Sequence, residues 1–437
     1  MGSYLSQPVT TKETESGSGG GFEWNSSEMQ GWRVGMEDAH FAVTGLQGRE
    51  GEGAGEDTIF ALFGVFDGHG GREVAHFCKA HLPNIALSEL RSRISSRQPQ
   101  DTTGIETKEV SEALVRTFNK MDELMSSPEY EHEILSLKGD QEGASGSGRR
   151  AARPGVQQVQ DRLQAAVALD MARARERGTL STQEAMRIMK GTALIQRLEG
   201  ATSALATAAA PPSGMAAHGV GCTAVCALVT STHVVCANAG DSRAVLSRRG
   251  QTIELSWDHK PNNKLERRRI EDAGGIVKEV LELVISPASN GRKSRTQYRV
   301  NGDLNLSRAL GDLRHKSRSD LRPDQQPVTS TPDVHIEVRS PDDEFLVLAC
   351  DGIWDMKTNA EVCAWIRAGI LDKRPMQEVI EDLLDACLSP DPKATQGLGG
   401  DNMTCLVVKF EGADVKVAES SRRSVGCGFC LRFPGIR

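Results

Sequence analysis

The sequence predicts an α+β fold: a central β-sandwich of two antiparallel sheets flanked by helices, in α-β-β-α layers, with a metal site at one end of the sandwich. Two observations point there. Short apolar runs of strand length recur along the chain, and helical segments fall between some of them without strict βα alternation. Several of those runs also end in an aspartate beside a glycine, which lets strand ends gather carboxylates at one end of such a sandwich.

The run T-I-F-A-L-F-G-V-F (Thr58–Phe66) is apolar and aromatic and stops at D-G-H-G-G, as a buried strand entering a tight turn does. From Arg72 through about Leu90 the pattern is helical, with a rough apolar face of Ala75, Cys78, Ala80 and Leu82. C-T-A-V-C-A-L-V, T-H-V-V-C-A-N-A and R-A-V-L-S form an antiparallel meander. V-H-I-E-V, E-F-L-V-L-A-C and N-M-T-C-L-V-V-K-F supply later strands, and helices are predicted near Lys264–Ala273 and Met376–Cys387.

Around this body lie three other kinds of sequence. Residues 1–21 are polar, end in S-G-S-G-G-G and read as a flexible arm. Residues 22–410 form the patterned domain, and 411–437 a tail. An insertion at about 139–217 opens with a Gly-rich linker and closes with A-T-A-A-A-P-P-S-G. Inside it, Val156–Arg177 and Ser181–Leu198 look helical, the second with a capping box of Ser181 and Glu184.

Composition narrows the function. With 38% hydrophobic and 25% charged residues the profile is globular, and a net charge of -7 provides no global basic field for nucleic acid. No run of 18 apolar residues exists to span a membrane, and the first residues lack the apolar core of a secretory signal. A cytoplasmic protein is expected, with the nucleus also open to it. The ten cysteines agree, since most sit in apolar runs and none are spaced as a disulfide framework. Nothing marks an oligomer, and a monomer is expected.

Asp67, Asp351 and Asp401 each punctuate the end of an apolar strand, and Asp241 in A-G-D-S-R has the same style. Carboxylates brought to one point repel unless cations neutralise them, and hard oxygen ligands with retained waters suit magnesium or manganese. Any one Asp-Gly is also ordinary turn chemistry. That account becomes poor for all four together, beside Q-G-W-R-V-G-M-E-D-A-H (Gln30–His40). There an arginine, whose planar fork suits phosphate oxygens, precedes the carboxylates Glu37 and Asp38.

From about Phe22 to Phe410, the insertion apart, the chain resembles the protein phosphatase 2C family of metal-dependent serine/threonine phosphatases. The motifs are G-W-R-V-G-M-E-D-A-H, F-D-G-H-G-G, G-C-T-A-V, A-G-D-S-R-A-V, D-H-K-P, E-R-R-R-I-E-D-A-G-G, V-N-G-D-L-N-L-S-R-A-L-G-D, L-A-C-D-G-I-W-D and D-N-M-T, in that order. The resemblance implies that Asp67 bridges two divalent metals, Mg²⁺ or Mn²⁺. The Gly68 carbonyl and Glu37 would hold one, with Asp38 supporting its waters, and Asp351 and Asp401 would hold the other. Arg33 would bind the substrate phosphate, and His69 would protonate the leaving oxygen. Asp241, Asp351 and Asp355 match the place of a third, weaker metal in some members. Phosphoproteins would be the substrates, attacked directly by a hydroxide bridging the two metals.

Physical chemistry supports these implied roles. Two metals roughly 3.5–4 Å apart can share a water and lower its pKa toward ~7. An alkoxide leaves poorly, so an acid such as His69 contributes about 10²–10⁴-fold. Cys222 departs from the family's more frequent serine, and both residues are small. Cys350 beside Asp351 lies in a core-like run, and no cysteine has an arginine six positions on, as a cysteine-dependent phosphatase loop requires. The segment from about 279 to 297 enlarges a region that forms a flap in the family. A non-catalytic phosphoprotein scaffold and a metallohydrolase acting on a non-protein phosphoester are the competing readings. Degraded metal positions would favour the scaffold, and none is seen.

The N-terminus reads M-G-x-x-x-S, the pattern for myristoylation at Gly2. One such chain binds membranes only marginally, with K of about 10⁴ M⁻¹, so a second signal is needed. The tail S-R-R-S-V-G-C-G-F-C-L-R-F, with Cys427 and Cys430, carries basic and aromatic residues suited to peripheral membrane contact and is equally readable as a plain tail. If Gly2 is acylated and contributes to membrane contact, Gly2→Ala moves the protein out of the membrane fraction; fractionation identical to wild type removes the idea.

Overall fold

The computed structural model describes residues 4–47, 59–95, 107–138, 216–286, 291–412 and 415. Gly2, Cys427, Cys430 and the predicted insertion helices Val156–Arg177 and Ser181–Leu198 lie outside the described residues.

In chain order the first half carries β1 (Val9–Gly19), β2 (Phe22–Gly31), β3 (Ala39–Gln47), β4 (Ile59–Phe66) and the two-residue β5 (Gly68–His69). Helices α1 (Glu73–Ser95), α2 (Thr107–Met125) and α3 (Pro128–Ser136) follow. Next come β6 (Gly221–Cys222), β7 (Ala224–Val229), β8 (His233–Ala239), β9 (Arg243–Arg248), β10 (Gln251–Glu254) and α4 (Lys264–Asp272). The remainder is β11 (Val277–Ser286), β12 (Gly291–Val300), β13 (Leu310–Gly311), β14 (Asp333–Val338), β15 (Asp343–Ala349), α5 (Asp351–Trp354), α6 (Asn359–Leu371), α7 (Met376–Cys387) and β16 (Met403–Phe410).

Two antiparallel sheets make the sandwich, in the orders β1-β2-β16-β15-β9-β10 and β14-β8-β7-β4-β3. Strand periodicity divides their side chains between layers. Along β4, Ala61, Phe63 and Val65 enter the core between the sheets, while Leu62 and Phe66 turn to the α1/α2 layer. Along β16, Leu406, Val408 and Phe410 face the other sheet, and Met403, Cys405 and Val407 pack on α6 and α7. Strands covered on both faces read as nearly unbroken apolar runs, which is why these were visible in the sequence. The four layers are those predicted.

Two readings change, and a third gains its structure. The polar segment taken as a flexible arm contains β1, paired with β2 from Gly19↔Phe22 to Val9↔Gly31. Its composition misleads because an edge strand needs partners on one side only. Its glycines make the hairpin turn, with φ of 63° at Gly20 and 85° at Gly21. Thr14 donates to Glu381 (3.0 Å) and Lys12 pairs with Asp385 (2.5 Å), tying the strand to α7. On α1, the buried face runs through Val74, Cys78, Leu82, Ala86 and Leu90, an i+4 series, and Ala80 is exposed. The segment expected as an enlarged flap forms the two-stranded hairpin β11–β12, in register from Val277↔Val300 to Ser286↔Gly291.

A small third sheet, β13-β6-β5, hangs from the end of β4. It pairs Leu310 with Cys222 and His69 with Gly221.

Phe63 is fully buried between the sheets and meets the Phe22 ring edge-on at 6.3 Å. Phe63→Ala should destabilise the protein by about 3–5 kcal/mol through lost burial and a cavity. Urea unfolding measures this, and a loss below about 1 kcal/mol would contradict this packing.

Candidate active site

The site is assembled where strands of both sheets stop. Asp67 follows β4 directly, and its backbone is clamped to the β6–β7 junction. Thr223 N donates to the Asp67 carbonyl (2.9 Å), and Asp67 N donates to Thr223 Oγ1 (3.3 Å). Thr223 in turn meets Ser242 Oγ at 2.6 Å, next to Asp241 at the start of β9. Asp351 opens α5 at the end of β15, and Asp401 immediately precedes Asn402 and β16.

Asn402 binds the Arg33–Asp38 loop to that point. Its Oδ1 accepts from Glu37 N (3.0 Å), and its Nδ2 donates to Gln30 O (2.8 Å) and Gly35 O (3.0 Å). Two glycines permit the close approaches. A Cβ at Gly68 would lie 2.2 Å from the Glu37 carbonyl oxygen, and one at Gly352 would lie 2.0 Å from the Asn402 carbonyl oxygen.

The electrostatics register the convergence. Burial pushes Asp67 well above the usual carboxylate range, and repulsion from Asp351, Asp38, Asp401 and Asp241 adds to it. Asp351 is likewise driven well up, by burial first and then by Asp241, Asp401 and Asp355, with Lys260 offsetting part. Burial lifts Asp38 to about 7 and also raises Glu37. Asp38 Oδ2 accepts from Thr404 Oγ1 (2.7 Å), while its buried Oδ1 has no hydrogen-bond partner.

Crowded, mutually repelling carboxylates with an orphan oxygen fit hard divalent cations. Asp38, Asp67 and Cys350 each place a ligand atom within 4.8 Å of the others. Burial holds the Cys350 thiol far above its ordinary value, and its sulfur accepts from Thr404 N (3.1 Å). A protonated, backbone-bound thiol is neither nucleophile nor ligand here, which leaves an oxygen donor set.

Arg33 forms an ion pair with Asp401, and its side chain stays 42% exposed. Asp355 caps α5 through its N–H to Asp351 O (2.8 Å), beside the carboxylate whose field it shares. Asp241, expected at a third metal position, pairs with the Lys260 ammonium. Burial would lower the Lys260 pKa, but Asp241 outweighs it and the net shift is upward.

His69 Nε2 lies 2.5 Å from Asp312 Oδ2. Burial alone would lower the His69 pKa, yet the Asp312 carboxylate leaves it raised. Asp312 is correspondingly lowered, with burial opposing and His69 prevailing.

Sequence reasoning gave no role to three residues here. Lys260 and Asp312 sat inside quoted motifs, D-H-K-P and the closing G-D of S-R-A-L-G-D, and only a spatial partner reveals their part. Tyr4 lay in the supposed arm. Leu5 N donates to Trp32 O (2.9 Å), and the Tyr4 ring lies against Gly397 and Gly400, close enough to Arg33 and Asp401 to feel both charges.

The sandwich is shared with known proteins. The model of the family described as protein phosphatase 2C matches residues 22–147 and 142–395. A Schizosaccharomyces pombe protein, protein phosphatase 2C homolog 2, is 34% identical over 411 residues, covering 94% of this chain and 79% of its own. A rice protein, probable protein phosphatase 2C 11, is also 34% identical and is covered over 91% of its length. In structure, a serine-threonine phosphatase 2C from Toxoplasma gondii shares the fold with a TM-score of 0.52 at 16% identity, covering 93% of this chain and 98% of its own. The chain belongs to the protein phosphatase 2C family.

Asp67, Asp351 and Asp38 hold protons more tightly folded than unfolded. In metal-free protein their contribution therefore favours the fold up to the ordinary carboxylate range, about pH 4, and is lost as pH rises through the folded values. For Asp38 that window closes at about 7. Divalent cations held there would replace those protons, so Mg²⁺ or Mn²⁺ should raise Tm more at about pH 7.5 than at about pH 5. Thermal scans with and without chelator measure both shifts; equal shifts would contradict the site.

Proposed function

We propose that the chain is a metal-dependent phosphatase acting on phosphoserine and phosphothreonine in proteins. One observation carries the reading: Asp67 and Asp351, driven well up first by desolvation and then by neighbouring carboxylates, stand at strand ends beside Arg33 and His69. Asp67 would bridge two Mg²⁺ or Mn²⁺ ions, with Glu37 and the Gly68 carbonyl on one and Asp351 and Asp401 on the other. Asp38 would hold water through its unpartnered Oδ1. Such a pair supplies, when bound, a hydroxide at neutral pH and a clamp for phosphoryl charge.

The protein's own groups do the rest. Arg33 is half-exposed and paired with a single oxygen of Asp401, so its fork remains available to phosphate oxygens. This orients the phosphoryl group and offsets the charge that grows on it. His69, kept protonated by Asp312, donates to the oxygen of the departing serine or threonine. A third cation at Asp241, Asp351 and Asp355 would have to displace the Lys260 ammonium from Asp241.

Phosphoserine and phosphothreonine peptides should be hydrolysed with Mg²⁺ or Mn²⁺ and not with chelator. Asp67→Asn should lower kcat/KM at least about 10²-fold, the scale of a lost transition-state contact. Full activity in Asp67→Asn sinks the reading. Preference for small non-protein phosphoesters over phosphopeptides would keep the chemistry and replace the substrate class.

A further inference from the structure

Only one ring nitrogen of His69 has a protein partner among the described residues. Nε2 lies 2.5 Å from Asp312 Oδ2, and the Asp312 side chain is fully buried. An ionised carboxylate only accepts, so Nε2 carries the proton of that bond. Nδ1 is the nitrogen left for another group.

Asp312 is itself held from several sides. Its N–H donates to Val220 O (2.9 Å), and its carbonyl accepts from His315 N (2.9 Å). The preceding Gly311 N donates to Asp122 Oδ1 (2.9 Å). Asp122 Oδ2 in turn accepts from Lys316 Nζ (2.5 Å), which also donates to Ala309 O (2.7 Å). The buried Asp122–Lys316 pair thus fixes the 309–312 segment against α2. In the β13-β6-β5 sheet, Gly221 stands between the two side chains. A Cβ there would lie 2.3 Å from Asp312 Oδ2 and 2.8 Å from His69 Nε2, so a glycine is what lets them meet.

A purely structural carboxylate would have both oxygens satisfied. Among the described residues, Asp312 Oδ1 is buried without a partner, and the one side-chain bond of Asp312 goes to His69.

We propose that Asp312 is the positioning residue for His69: it fixes the Nε2–H so that Nδ1 is the atom presented to the phosphorylated side chain. This rests on the reading of His69 as the acid. In the step, an oxygen derived from water bonds to phosphorus and the P–O bond to the serine or threonine oxygen breaks. The electron pair of that bond stays on the leaving oxygen, which takes the Nδ1 proton and departs as the alcohol. His69 is left neutral, still donating Nε2–H to Asp312.

Two measurements test it. In metal-free wild-type protein, ¹⁵N–¹H correlation of His69 should show a proton on Nε2; a neutral ring protonated only on Nδ1 overturns the proposal without any mutation. In kinetics, p-nitrophenolate leaves without a proton, whereas a serine alkoxide does not. Asp312→Asn should therefore cut kcat on a phosphoserine peptide about 10- to 100-fold and kcat on p-nitrophenyl phosphate less than about threefold. A merely structural role would lower both alike, and that result also overturns the proposal. His69→Ala separates the two levels. If it lowers both substrates equally, the acid reading falls and the proposal with it. If it is selective and Asp312→Asn is not, only the role of Asp312 falls.

Discussion

Like charges held together away from water set the terms for this molecule. Asp38 is buried and Asp67 and Asp351 are half-buried, and Asp401 and Asp241 repel both of the latter. The field must be balanced by protons or by cations, and at neutral pH protons are scarce. The protein therefore carries a standing electrostatic debt at one end of an otherwise well-packed sandwich. The packing bears that cost: three apolar layers, continuous through β4 and β16, keep the strand ends in place whether or not the charge is balanced.

Among the described residues, two cationic side chains pair directly with these carboxylates. Arg33 leans on Asp401 and Lys260 on Asp241. Among the described residues neither hydrogen-bonds Asp67 or Asp351. Asp67 and Asp351 are thus left to be balanced by protons or by cations, while Asp401 and Asp241 have protein partners. His69 belongs to a separate arrangement. Its partner Asp312 reaches it through the small third sheet, so His69 and the converging aspartates are positioned by different parts of the fold.

Much of this was legible in the sequence, for physical reasons that can be named. Strands buried on both faces declare themselves as unbroken apolar runs, as Thr58–Phe66 and the run into Phe410 did. Aspartates beside glycines marked where those runs stop. An exposed edge strand has no such signature: β1 is polar because solvent covers one side, and composition alone made it look like a tether. Ala80 was placed on the wrong face of α1 because alanine carries too little hydrophobic signal to fix a helix face. Asp312 and Lys260 meet partners 243 and 19 residues away, and Tyr4 feels both Arg33 and Asp401. No local pattern encodes such meetings.

The last strand has a consequence for how the chain is made. β16 lies inside the six-stranded sheet, between β2 near the beginning and β15 near the end, and Asp401 enters with it. A growing chain therefore cannot close that sheet until about residue Phe410 has left the ribosome. Until then β2 and β15 each expose an edge and half a core, and the acidic cluster lacks one of its members. Synthesis, sheet closure and completion of the acidic cluster coincide, so a chain cut short before this strand would lack both the centre of its sheet and the last carboxylate of that cluster.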